Sequence, residues 1–165
     1  MGMNGRIIVT GATGSMGAAA VEYLAAEGRP VLMACRNLAK AGAVRADILS
    51  RVPEADLEIR QLDLASLSSV RAFAQAIEPG SVVALFNNAG VISKGYHPSE
   101  DGFENTFAVN YFGPWLLTRL LLPKLPTDAR IVNMVSLTCG FVSLRESMLE
   151  PLERDFSQLG AEARA

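Results

Sequence analysis

Ile7-Ile8-Val9, Val31 to Cys35 and Val82 to Phe86 are apolar runs without alternation. Short runs without alternation suit strands that are buried on both faces. Leu57 to Leu62 alternates instead, with Leu57, Ile59 and Gln61 against Glu58, Arg60 and Leu62, which places it nearer a sheet edge. Arg130 to Val135 reads as a fifth strand. Between these runs the period becomes helical. Met16, Ala20 and Leu24 form one stripe that stops at Gly28, with Pro30 just beyond. Leu38, Val44, Ile48 and Leu49 outline a second helix ending near Pro53. Ser66 is expected to cap a third, with Val70, Phe73, Ala74 and Ile77 on its buried side and Pro79-Gly80 at its end. After a loop from Val91 to Pro98, Ser99 with Glu100 and Asp101 is expected to cap a long helix to about Leu122. Strands alternating with such helices imply right-handed crossovers and an α/β doubly wound parallel sheet. No repeat or linker divides residues 1–165, so one domain is expected.

Composition narrows the function classes. Half of the 165 residues are apolar and 19% are charged, enough for a full hydrophobic core. A net charge of −2 without a basic run gives no electrostatic case for nucleic acid or acidic membranes. Two cysteines, Cys35 and Cys139, are too few for a disulfide framework, and with one histidine they give no metal-ligand spacing. Met1-Gly2-Met3-Asn4 runs into the first strand without a signal peptide, and Arg6 spoils a myristoylation pattern. Trp115 to Leu122 is interrupted by Arg119 and is too short to span a bilayer. A soluble, cytoplasmic chain is expected. His97, in a polar loop, is read as solvated.

Candidate chemistry begins at Arg6 to Gly17, R-I-I-V-T-G-A-T-G-S-M-G: a strand, a glycine-rich turn and a helix start. Glycines let the backbone approach an anion, and the free amides at a helix start point toward it with the positive end of the dipole. Gly11, Thr13, Gly14, Ser15, Met16 and Gly17 are the candidate cofactor-binding residues of this turn, and Gly17 would also let the helix lie close to the sheet.

Thr10 followed by these glycines resembles the short-chain dehydrogenase/reductase family, whose usual turn is T-G-x-x-x-G-x-G. Ser15 stands where that pattern has its middle glycine, and Gly14 lies one place earlier. Leu85 to Gly90 ends in N-N-A-G, a signature of the family, so Asn88, Ala89 and Gly90 are expected beside the adenosine ribose. Asp63-Leu64 matches the acidic residue and amide that meet the adenine. Arg36 ends the second strand about twenty positions past the glycine turn, where an arginine would attract a 2′-phosphate. Asn37 adjoins it, and Lys40 would add a second charge. The resemblance therefore implies NADP(H) in preference to NAD(H).

Asp101-Gly102-Phe103-Glu104 and Val109 to Thr118 are similar to the branch holding retinol-dehydrogenase-like and protochlorophyllide-reductase-like enzymes. Asn110 matches the asparagine whose carbonyl holds a relay water. Pro114, four residues on, has no N–H for that carbonyl and should kink the helix. Ser136 matches the serine that hydrogen-bonds the substrate carbonyl. The resemblance implies strand order 3-2-1-4-5, hydride transfer between NADP(H) and a carbonyl or alcohol, and a homo-oligomer formed through the long helix.

The sequence departs from the family at its proton donor, a tyrosine with a lysine four residues later. The tyrosines here are Tyr23, Tyr96 and Tyr111, followed four residues on by Glu27, Glu100 and Trp115. Aligned on Phe156 to Ala165, Glu162 falls in the tyrosine's place, and a carboxylate ionised at neutral pH is no acid. The family's last two strands are also missing from the sequence. The expectation is a truncated, inactive member. The alternatives are a non-catalytic NADP(H) sensor and a degenerate gene remnant. Phe141, Leu144, Met148, Leu152, Phe156 and Leu159 recur at roughly helical spacing, interrupted by Pro151.

Overall fold

The computed structural model describes residues 5–136. Five parallel strands form one sheet in the order β3-β2-β1-β4-β5. They are β1 Arg6–Thr10, β2 Val31–Cys35, β3 Leu57–Gln61, β4 Val82–Asn87 and β5 Arg130–Asn133. Helices α1 Ser15–Ala26 and α2 Leu38–Arg51 cover one face, closing a core around Val9, Val31, Met33, Val21 and Ile48. Helices α3 Leu67–Gln75 and α5 Gly113–Leu121 cover the other, packing Val70, Phe73, Leu117 and Leu121 on Ile8, Leu32 and Leu85. Successive side chains of β1 and β2 thus enter opposite cores, which explains their unbroken apolar runs. Each large apolar side chain fully buried here contributes about 1.5–3 kcal/mol relative to exposure.

The edge strand β3 carries the alternation anticipated for it, and charge guards it. Arg6 reaches Asp56 at 2.9 Å and Glu58 at 3.3 Å, while Arg60 also binds Glu58. Charged side chains on an edge discourage pairing with another chain. Ser66 caps α3 as expected, accepting from the Ser69 N–H at 3.2 Å.

Three expectations are corrected. The buried stripe of α1 is Gly17, Val21 and Ala25 rather than Met16, Ala20 and Leu24, and Met16 is 62% exposed. Small residues allow the helix to approach the sheet, so it turns Gly17 and Ala25 inward beside Val21. Leu38 lies at the exposed start of α2, whose buried residues are Ala41 and Ile48. Ser99 caps no helix. Residues 99–103 form a closed turn, in which Ser99 O accepts from Gly102 N–H and Gly102 takes φ +82°. The helical segment begins with α4, Asn105–Phe107, capped by Glu104, whose carboxylate accepts from the Phe107 N–H at 3.0 Å.

Before Pro114 the helix widens. Ala108–Phe112 is a π turn, and the Gly113 N–H reaches back five residues to Ala108 O. This is how the chain accommodates a proline that cannot donate to Asn110.

Candidate functional site

At the carboxyl ends of β1, β2 and β4 lies an open cleft of about 600 Å³. It is lined by all the predicted cofactor residues except Gly17. Open α/β sheets bind ligands at this end, where the strand order reverses between β1 and β4.

The glycine turn forms one wall. Gly11 takes φ +64°, and a Cβ there would stand 2.8 Å from the Ala89 Cα. Gly14 N–H closes the turn on Gly11 O at 3.0 Å. Gly17 faces away from the cleft, and a Cβ there would collide with the Gly11 carbonyl oxygen. Of the two expectations for Gly17, close packing of α1 is the one its contacts support, and it does not line the cleft. No side chain caps α1 at Gly14, whereas α2, α3 and α4 are capped by Asn37, Ser66 and Glu104. The α1 start also carries no acidic residue in its first turn. A bare helix start with its backbone in a glycine cradle fits a phosphate.

Arg36, Asn37 and Lys40 line the cleft at the end of β2. Asn37 Oδ1 is already committed, accepting from the Lys40 N–H at 2.9 Å, which leaves the two cations to face an anion. Cys35 lies beneath them. Burial pushes its thiol up from the usual range, against the opposing effect of hydrogen bonds from the Ala12 and Thr13 backbone. It is therefore neutral and unreactive. Asp63 Oδ1 accepts from the Ala65 N–H at 2.9 Å, and its own N–H donates to Ser69 Oγ at 2.9 Å. The turn holding Asp63 and Leu64 is thereby fixed onto α3.

Thr10, fully buried, was not singled out as a site residue, yet it joins the two signature segments. Its Oγ1 accepts from the N–H groups of both Asn88 and Ala89 at 3.0 Å and lies 3.4 Å from Phe86 O. Asn88 Nδ2 returns a bond to Thr10 O at 2.9 Å. The available signal was a hydroxyl directly before the glycine turn.

Asn110 lies outside this cleft. It lines a neighbouring cavity of about 340 Å³ with Tyr111, Trp115, Thr118, Asn133 and Val135, and Ala89 separates the two spaces. The Asn110 side chain is spent on the loop, accepting from Val91 N–H and donating to Val91 O, both at 2.8 Å. Ser136 follows β5, is exposed and lines neither cavity. His97 is exposed, with Nε2 2.9 Å from Lys94 O. Cys139, Glu162 and the apolar series from Phe141 lie outside the described residues. Among the described residues no cluster could hold a metal, and no helix is long and apolar enough to cross a membrane.

Comparison with known proteins agrees with this geometry. A model of the short chain dehydrogenase family matches residues 6–147. Human retinol dehydrogenase 13 is 44% identical over 135 residues, covering 79% of this chain and 41% of that protein. The chain thus spans about two fifths of the length of the curated relatives it matches. A solved structure from Mycobacterium paratuberculosis is 38% identical, with a TM-score of 0.64 over 73% of this chain and 42% of that one. A metagenomic short-chain oxidoreductase in complex with NADP is 28% identical, with a TM-score of 0.69 over 81% of this chain and 63% of its own. On the glycine turn, the N-N-A-G segment, the strand order and these matches, the chain belongs to the short-chain dehydrogenase family, in its retinol-dehydrogenase-like branch.

Proposed function

We propose that this chain binds NADP(H), in preference to NAD(H), as the nucleotide-holding part of a carbonyl or alcohol oxidoreductase. The observation that carries the reading is the single cleft in which the glycine turn, Arg36, Lys40, Asp63 and Asn88-Ala89-Gly90 converge. The bare start of α1 and the backbone of Gly11 to Met16 would hold the pyrophosphate. Arg36 and Lys40 would hold the 2′-phosphate, the first through a planar paired donor. Asp63 and Leu64 would meet the adenine, and the small residues Ala89 and Gly90 would admit the ribose. The nicotinamide would supply the hydride.

The protonation step rests on groups that this sequence lacks, since no tyrosine is followed four residues later by lysine. Ser136 would orient a carbonyl and Asn110 would hold a water, but neither supplies an acid. Loss of a general acid lowers rate by roughly 10²–10⁴. The 165-residue chain is therefore expected to bind the dinucleotide without turning over simple aldehydes or ketones.

Calorimetric titration tests the reading. NADPH should bind about 10–100-fold more tightly than NADH, the range expected for a charge-assisted phosphate contact. Arg36→Ala should remove most of that difference while leaving NADH affinity unchanged. Equal affinity of the wild-type chain for both nucleotides would refute the preference. Steady NADPH oxidation abolished by Ser136→Ala would refute the inactivity.

A further inference from the structure

We infer that the acidic turn at residues 99–103 is a positioning clamp for the adenine end of the cleft, with Asp101 and Glu100 as its working residues. The inference rests on the dinucleotide reading above and extends it to Glu100 and Asp101, distant in sequence from the adenine residues Asp63 and Leu64. Asp101 Oδ2 accepts from the Leu67 N–H at 2.8 Å. Glu100 Oε1 accepts from Ser66 Oγ and from Ser68 Oγ, the latter at 3.3 Å. Two carboxylates from one turn thus occupy the first turn of α3, where negative charge is favoured.

That first turn is in direct contact with the cleft. Ser69 Oγ accepts from the Asp63 N–H, and the Ser66 N–H closes on Asp63 O at 3.2 Å. Displacing residues 66–69 therefore displaces Asp63. Leu64, next to Asp63, packs against Gly113, where a Cβ would collide with the Leu64 carbonyl oxygen. The two contacts are linked through Phe103, which stacks on Phe112 with ring centroids 4.4 Å apart. The acidic turn itself is rigid, with Ser99 N–H to Phe103 O at 2.7 Å and Phe103 N–H to Ser99 Oγ at 3.2 Å. Asp63 is thus tied to Asp101 and Glu100 through residues 66–69, while Leu64 packs closely against Gly113.

A clamp of this kind acts on affinity through population. When it is released, a smaller fraction of molecules holds Asp63 in the competent position, and the apparent dissociation constant rises in inverse proportion to that fraction. The effect belongs to ligands that touch the adenine end. A general loss of α3 stability would not show this selectivity. Lys124 provides the comparison, since its Nζ caps the opposite end of α3 by donating to Ala74 O, Gln75 O and Ile77 O at 2.7–3.1 Å.

The test titrates the full chain with 2′,5′-ADP, NADPH and nicotinamide mononucleotide. Asp101→Ala combined with Glu100→Ala should weaken 2′,5′-ADP and NADPH about fivefold, within the span of losses seen when a helix-capping side chain is removed. It should leave nicotinamide mononucleotide unchanged. Asp101→Asn, which keeps an acceptor oxygen for Leu67, should recover most of the loss. Lys124→Met should lower the melting temperature without changing 2′,5′-ADP affinity. Unchanged 2′,5′-ADP binding in the double variant, or equal weakening in Lys124→Met, would overturn the clamp while leaving the dinucleotide reading intact. Failure of the wild-type chain to bind 2′,5′-ADP would overturn both.

Discussion

At the residue scale, Thr10 illustrates what motif reading passes over. The glycines are visible because turns need them, whereas a threonine ending a strand has many ordinary uses. Its role appears only when β4 is placed beside β1, which brings Asn88 and Ala89 within 3.0 Å of its hydroxyl. Thr10→Val keeps the shape and removes the acceptor for two backbone N–H groups. Leaving a buried donor unmet costs about 1–3 kcal/mol each. We expect urea unfolding to show a loss of about 2–4 kcal/mol, while Thr10→Ser should recover most of it. A Thr10→Val midpoint equal to wild type would show that water replaces the hydroxyl. The candidate cofactor residues were more legible, because they follow the carboxyl ends of strands β1 to β4 and parallel strands end on the same side. The roles of Asn110 and Ser136 follow from resemblance, with Pro114 as the one physical support for Asn110, and the structure places neither in the main cleft.

At the element scale, apolar patterning located β2 to the residue and the buried side of α3 completely. It failed at Ser99-Glu100-Asp101, and the reason is instructive. Glu100 and Asp101 do serve a helix start, but the helix is α3, 34 positions earlier, and no local pattern carries that information. It failed also on α1, where the inward residues are the small ones and the large Met16 faces out. A different long-range tie is titratable. Arg51 at the end of α2 binds Glu22 of α1 at 2.6 Å and Asp47 at 2.8 Å. Its guanidinium holds both carboxyls below their ordinary values of 4.5 and 3.8. For depressed carboxyls the stabilisation is full above the unfolded-state values and is lost as pH falls through the folded-state ones. The stability difference between wild type and Arg51→Gln should therefore be constant near neutrality and shrink below about pH 4. It should also fall with salt, because all three groups are exposed. A difference that persists at pH 2, measured by thermal unfolding, would mean that Arg51 acts through packing instead.

At the scale of the whole molecule, the two sides of the sheet end differently. The β3 edge is guarded by Arg6, Arg60, Asp56 and Glu58. The β5 side carries apolar side chains in the open: Val132, Met134 and Val135 on or just past the strand, with Tyr111 and Trp115 facing the same cavity. Leu122 continues the exposed apolar side beyond α5. Soluble chains seldom leave such groups contiguous unless another surface covers them. The family resemblance implies a homo-oligomer formed through the long helix, and Tyr111 and Trp115 are exposed on that segment. We expect the 165-residue chain to sediment as a concentration-dependent dimer. Trp115→Asp should shift it toward monomer, because a charge at the middle of an apolar contact would be buried without a partner. The same substitution should leave 2′,5′-ADP affinity unchanged, since Trp115 does not line the main cleft. A wild-type chain that remains monomeric at high concentration, with Tyr111 and Trp115 protected from solvent quenching, would place the cover within residues 137–165 rather than on a second copy.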